Sequence, residues 1–386
     1  MDRRSFLANA SLFCLTTSCR AFSELQPQSG LRRRIKAQLD LGVADELTVG
    51  AVVMVARNGK VEALDAAGYA DRESQKLMPT DAIFDIRSIS KPITVLGALL
   101  LVQDGKLRLD TPLSTLLPEF SHCKVVGQDQ PTAVPITMRQ LMTHTSGIAA
   151  QRPEELQNIT RTFDRTLAEH VVLVAKQPLD FVPGTKWSYS SSGIAILGRV
   201  MEAVSGQPFE TFMQQRLFEP LEMVDSSFFT NRSKIDRIPT MYNLENGHLV
   251  KDVMDVTRPH QKYSAPDFGL FSTAEDLRHL GEMMLDRGSW RNRRILSAAL
   301  VDEATRPYVQ SALPKYHAGL GWAVHTAKDA EMSYAATDGS YGANGASSCL
   351  LWIDPSFQLV RIYLTHYFGG GNFPDGNPVM NAAFPC

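Results

Sequence analysis

Residues 86–94 read IRSISKPIT, and the fold turns on whether Ser88-Ile89-Ser90-Lys91 is a reactive pair or the polar start of an apolar helix. The spacing alone decides nothing, because Ser121-His122-Cys123-Lys124 repeats it and so short a motif recurs by chance. The run Ile93 to Val102 carries no charge and ends near Asp104-Gly105, the pattern of a buried helix. A serine at such a helix start and a lysine three residues on share one face. The helix dipole and free backbone N–H groups there favour a developing oxyanion. A serine hydroxyl is a poor nucleophile without a base. A lysine serves when desolvation or a neighbouring positive charge strips its proton, and Phe84, Ile86, Ile89 and Ile93 supply an apolar setting.

Outward from this segment, the chain divides into strands at both ends and a helical middle. Leu31, Ile35 and Leu39 recur every four residues and predict an amphipathic helix, with Arg32-Arg33-Arg34 on its solvated face. Val49 to Ala56 is a continuous β-favouring run, Asn58-Gly59 is a hairpin signal, and Val61 to Gly68 returns antiparallel. From Asp104-Gly105 to about residue 260 the text reads as mostly helical, with Pro and Gly punctuation: Met138 to His144, Leu167 to Lys176, Gly193 to Ser205 and Phe209 to Leu217. Ser272-Thr273-Ala274-Glu275 forms a capping box for a helix reaching Leu285. Gly319 to Thr326, Ser348 to Ile353 and Leu359 to His366 read as strands, with Asp354-Pro355 as a turn and Val379 to Phe384 as a short final helix. One antiparallel sheet built from both ends, with a helical insertion, satisfies this order.

Composition excludes several classes. At 386 residues, with 44% apolar and 21% charged residues, the chain is an ordinary globular protein with ample core. A net charge of -2 with scattered basic residues gives no basis for nucleic-acid binding. The nine histidines contain no HExxH or HxH pair, so neither a metal nor any other cofactor is expected. Residues 1–21, MDRRSFLANASLFCLTTSCRA, have the layout of an export signal, and Arg3-Arg4-Ser5-Phe6-Leu7 resembles a twin-arginine motif. The apolar part falls short of the about 20 residues a membrane helix needs. Export is therefore expected, to the periplasm or cell envelope or with secretion or lipid anchoring as alternatives, the mature chain starting near Cys19 or Phe22. Membrane association would come only through the leader or a lipidated Cys19, although Thr16 is a poor residue for a lipoprotein box. Cys349 lies in an apolar run and reads as core, while a Cys123–Cys386 bridge is permitted by sequence and supported by nothing in it.

FDIRSISKPITVLGALLLVQDGKLRLDTPLSTLLPEF, residues 84–120, strongly resembles the nucleophile helix of the serine β-lactamase and penicillin-binding protein superfamily. The nearest branch is that of class C-like enzymes, esterases and D-amino-acid peptidases. ITMRQLMTHTSGI (136–148), FVPGTKWSYSSSGIAILGRVMEAVSG (181–206), GLFSTAEDLRHLGEMMLDRGSW (269–290) and YGANGASSCLLWIDP (341–355) match its later landmarks in order. The resemblance covers about residues 30–370 and implies an α/β (α+β) fold: an antiparallel sheet flanked by helices from both chain ends, plus an inserted mostly helical domain. Its expected boundaries are 22–105 and 262–386 for the sheet domain and 106–261 for the helical one.

The resemblance also implies roles. Ser88 would be the acylated nucleophile, Lys91 would take or relay its proton, and Tyr189 would be the phenol of the second motif. The backbone N–H groups of Ser88 and Ala346 would form the oxyanion hole, Ala346 on a strand edging the cleft. His144 reads as a structural loop residue. Two departures qualify the match. Ser191 stands where the second motif usually has Asn, and its shorter hydroxyl donates and accepts less. Counting back from Trp352-Ile353-Asp354-Pro355, the third motif falls on Ala343-Asn344-Gly345, without its usual Lys or His. Losing a charge-assisted bond to a substrate carboxylate costs about 1.5–3 kcal/mol. Ester hydrolysis survives that loss better than β-lactam or peptide hydrolysis. The expected function is an exported serine hydrolase working through an acyl-enzyme, on a small-molecule ester before a β-lactam or D-alanyl peptide. A non-catalytic penicillin-binding-type sensor of cell-wall fragments is the reading of another class.

Overall fold

The computed structural model describes residues 30–151, 153–252, 257–258, 260–309, 317–326, 335–368 and 378–383. The leader, Cys19, Phe22 and Cys386 lie outside them.

Helix α1, residues 30–44, buries Leu31, Ile35 and Leu39 and leaves Arg32, Arg33 and Arg34 exposed. Strands β1 (Gly50–Arg57) and β2 (Lys60–Asp71) are joined at Asn58 and Gly59. Both turn residues have positive φ, 50° and 71°, the hairpin geometry that Asn-Gly adopts readily. Short β3 (Lys76–Leu77) follows, then β4 (Phe84–Asp85) and α2 (Ser90–Gln103). The helical stretch comprises α3 (Met138–Met142), α4 (Glu154–Thr162), α5 (Leu167–Ala175), α6 (Ser191–Ser205) and α7 (Phe209–Met213).

Beyond it lie β5 (Tyr242–Glu245), β6 (His248–Lys251), β7 (Phe271–Ser272) and α8 (Ala274–Leu285). Next come the ribbon β8 (Ser289–Trp290) and β9 (Arg293–Arg294), then α9 (Ala298–Ala304). The chain closes with β10 (His317–Ala318), β11 (Ala323–Val324), β12 (Tyr341–Asn344), β13 (Leu350–Asp354), β14 (Leu359–Thr365), β15 (Tyr367–Phe368) and α10 (Pro378–Ala382).

The main sheet has the order β10-β11-β12-β13-β14-β1-β2-β3, and all its pairs are antiparallel. Strand β1 joins the two ends of the chain, pairing with β14 from Ala51↔Thr365 to Arg57↔Leu359. Both of its faces are covered, which is why Val49 to Ala56 reads as a continuous apolar run. Val52, Met54 and Ala56 face the main core, while Ala51, Val53 and Val55 pack with α1 and α10. Helix α2 is buried from Ser90 to Leu101, so it is a core helix, apolar on every side. Its polar side chains are pinned: Thr94 Oγ1 donates to the Pro266 carbonyl at 2.7 Å, and Ser90 Oγ accepts the Leu270 N–H at 3.1 Å.

Four local expectations need correction. The cap of α8 is Thr273, which accepts the Asp276 N–H at 3.2 Å. Ser272 is the last residue of β7 and shares a 2.8 Å hydrogen bond with Ser226 instead. The run from Gly319 to Thr326 is broken, because the Gly319 N–H bonds the Trp322 carbonyl around Gly321, at φ 76°. The stretch expected to be mostly helical also holds the unforeseen β5–β6 hairpin, turned by Asn246 and Gly247. Ala346 is not on a strand: β12 ends at Asn344, and the Gly345 N–H closes a turn onto the Cys349 carbonyl at 2.8 Å. Cys349 is buried, as its apolar setting suggested, and burial pushes its thiol up to about 12. Among the described residues no helix is long and apolar enough to cross a membrane.

Candidate active site

Ser88 lies in the single 3-10 turn Arg87–Ile89 that feeds α2, and it stays half-buried. Lys91, one helical turn on, is 2% exposed. An ammonium group has three donors. Here one meets Ser88 Oγ at 3.0 Å and another the Asp267 carbonyl at 2.8 Å. On a further side Lys91 Nζ lies 4.8 Å from the centroid of the Tyr189 ring. The Ser-x-x-Lys spacing therefore produces the contact that the helix geometry called for, and the chain brings Tyr189 to it from about a hundred residues away.

Tyr189 precedes α6, whose amino-terminal cap is Ser190: its Oγ accepts the Gly193 N–H at 3.1 Å. Ser191 is the first residue of that helix. Tyr189 is 43% exposed, and its hydroxyl makes no hydrogen bond among the described residues. The His144 ring lies against that of Tyr189, with centroids 4.7 Å apart and planes inclined by 37°. Burial, reinforced by the Lys91 charge, pulls the His144 imidazole down to about 3, so it is neutral at pH 7.

Opposite this group runs β12, with Ala343 paired to Leu351 and Asn344 to Leu350. Ala343 is buried, and Asn344 and Ala346 are exposed. Gly345 makes the approach possible: a Cβ there would sit 2.2 Å from the Ile86 carbonyl oxygen. The strand end thus lies against the turn that carries Ser88. The N–H groups of Ser88 and Ala346 donate to no other group among the described residues.

What holds the two turns together was not legible in the sequence. Asp85, with a fully buried side chain, pairs with Arg87 at 3.1 Å and with the buried Arg258. Its carbonyl accepts from Ser347 Oγ at 2.7 Å. One residue therefore ties the Ser88 turn to the Ala346 turn. Burial, together with the Arg87 charge and against that of Asp85, lowers Arg258 to about 10, which leaves it charged at pH 7. Arg87 does not stand in for the missing third-motif cation. Its guanidinium is held by Asp85 and lies over the rings of Phe368, at 4.5 Å, and Phe268, at 5.7 Å. A cavity of about 300 Å³ lined by Thr211, Gln214, Phe218 and Phe228 includes none of these groups, so side-chain chemistry rather than depth locates the site.

An antiparallel sheet facing a buried helix that presents Ser and Lys on one turn defines a serine hydrolase of the β-lactamase and penicillin-binding protein superfamily. The chain belongs to the Beta-lactamase family, which it matches over residues 31–383. It is 30% identical over 322 residues to esterase EstB of Burkholderia gladioli, a match covering 76% of this chain and 78% of that one. It is likewise 30% identical over 323 residues to penicillin-binding protein 4 of Amycolatopsis lactamdurans, covering 82% and 80%. Among solved structures, EstCE1, a hydrolase with promiscuous acyltransferase activity, superposes with a TM-score of 0.81. That match covers 93% of this chain and all of the other at 24% identity, and it speaks to the fold alone.

Proposed function

We propose that this protein is an exported esterase that hydrolyses small carboxylic esters through an acyl-enzyme on Ser88. One observation carries the reading: Lys91 Nζ meets Ser88 Oγ at 3.0 Å, while the strand facing them offers Ala343-Asn344-Gly345 and no cation. The nucleophile touches Lys91 of the Lys91–Tyr189 pair that would take its proton, and a substrate carboxylate finds no charged partner on that strand. The esterase name carried by the relative from Burkholderia gladioli supports the same choice. Export rests on the sequence of residues 1–21 alone.

Water is the one co-reactant the chemistry requires. Ser88 Oγ adds to the ester carbonyl carbon as its proton passes to the Lys91–Tyr189 pair. The N–H groups of Ser88 and Ala346 hold the oxyanion. The bond to the alcohol oxygen breaks, and that oxygen takes the proton. Water then repeats the sequence: its proton goes to the pair, its oxygen adds to the acyl carbon, and Ser88 Oγ leaves with the proton. A carboxylic acid is released.

Initial rates on a short-chain nitrophenyl ester and on a chromogenic cephalosporin, for the protein and for Ser88→Ala, test this reading. We expect ester turnover that Ser88→Ala abolishes and cephalosporin turnover that is slower by tenfold or more, on the order of the lost charge-assisted bond. Preferred cephalosporin turnover would return the function to β-lactamase or D-peptidase. A persistent Ser88 adduct without turnover would make the protein a sensor, and equal rates in both proteins would remove Ser88 from the chemistry.

A further inference from the structure

We propose that His144 is a positioning residue for Tyr189, clamping the strand of chain on either side of it so that the phenol ring stays beside Lys91. The proposal rests on reading Tyr189 as a proton-transfer group. Two hydrogen bonds bracket Tyr189 and both end on His144: the Ser188 N–H donates to the His144 carbonyl at 2.9 Å, and the Ser190 N–H donates to His144 Nδ1 at 3.2 Å. Between them the imidazole lies against the Tyr189 ring itself, and Trp187 meets the imidazole edge-on at 6.1 Å. One side chain and its own carbonyl therefore fix residues 188, 189 and 190.

The loop that presents His144 is fastened to the same segment. The Gly184 N–H bonds the Thr145 carbonyl at 2.7 Å, and the Asp180 N–H bonds the Gly147 carbonyl at 2.8 Å. Gly147 sits at φ 78°, where a Cβ would lie 2.2 Å from the Phe181 carbonyl oxygen. His144 itself is at φ 58°, a left-handed conformation that costs a non-glycine residue about 1 kcal/mol or more and persists where the surroundings impose it. Because Nδ1 accepts the Ser190 N–H, the hydrogen of the neutral ring resides on Nε2. A second proton on Nδ1 would set two donors face to face. Burial and the Lys91 charge keep the ring neutral, so Nδ1 remains an acceptor.

A buried histidine that merely fills space would lower stability when removed without a specific link to Tyr189. The distinguishing test is a double-mutant cycle on ester hydrolysis with His144→Ala, Tyr189→Phe and the pair, with His144→Asn as the conservative variant. Asn tolerates the left-handed backbone and offers an amide oxygen near the place of Nδ1. We expect His144→Ala to lower kcat about 30-fold with KM within about threefold, and His144→Asn to recover most of the loss. In the Tyr189→Phe background, His144→Ala should add less than about threefold. If Ala, strained at this φ, prevents folding, His144→Gly takes its place in the cycle. Full additivity of the two losses, or unchanged kcat in a folded His144→Ala or His144→Gly enzyme, overturns the proposal. Wild-type kcat in Tyr189→Phe alone overturns the reading of Tyr189 on which it stands, so the two failures are told apart.

Discussion

The two walls of the cleft are built differently. On the Ser88 wall the charged and polar groups are buried and engaged: Lys91 holds Ser88 and the Asp267 carbonyl, Ser90 ties the turn to Leu270, and Asp85 joins Arg87 to Arg258. On the facing wall, β12 and its turn present Ala343, Asn344, Gly345 and Ala346, without a charge among them. On the proposed reading, the first wall carries the bond-making groups, and the second lacks the cation that a substrate carboxylate would bind. Reactivity and recognition then reside on different elements, joined where Gly345 packs on Ile86 and where Ser347 Oγ donates to the Asp85 carbonyl.

The separation can be broken from the reactive side first. Lys91→Met keeps the length of a buried side chain and removes the base, and we expect kcat on a neutral ester to fall about 10³-fold or more. An enzyme that keeps its kcat would show that Lys91 is only a structural cation. The next largest effect falls on the support beneath. Arg258→Met leaves the Asp85 carboxylate short of a partner in an apolar site, and breaking such a pair costs about 3–5 kcal/mol. Urea unfolding should register that loss, and an unchanged midpoint would mean that the Arg258 contact contributes nothing.

The recognition side gives a smaller and opposite change. Ala343→Lys restores a cation to the third motif, so kcat/KM for a carboxylate-bearing β-lactam should rise about tenfold or more relative to a neutral ester. Equal changes for both substrates would contradict the division between the walls. The smallest expected effect is on the pH dependence of folding. Burial lowers His144 to about 3 and His366 to about 4, against about 6.5 in the unfolded chain. The unfolded state then binds more protons below that value, so stability is fully present above pH 6.5 and declines as pH falls toward 3. His144→Asn should flatten part of that slope, by on the order of 1–2 kcal/mol at pH 5. An unaltered slope would mean that His144 is not held neutral in the fold.

How far the site could be read from sequence follows the same division. Ser88 and Lys91 were legible because one helical turn brings them together, and Tyr189 because its motif carries it. The Asn58-Gly59 hairpin and the doubly covered strand β1 were legible because turn chemistry and apolar runs are local. Asp85 and Arg258 were not: they are 173 residues apart, and no periodicity connects them. His144 looked like a loop residue because its task depends on backbone N–H groups of residues 188 and 190, which sequence does not display. The cap of α8 was misplaced by one residue because Ser272 and Thr273 are equally good caps, and only the partner of Ser272, Ser226, decides between them.

The most direct test of an acyl-enzyme on Ser88 is rapid-quench intact mass of the protein mixed with a short-chain nitrophenyl ester. We expect a transient gain of one acyl group that maps to the peptide carrying Ser88, decays as the acid accumulates, and is absent from Ser88→Ala. Ester turnover in which no acyl group is ever found on Ser88, or an acyl group on another residue, would contradict it.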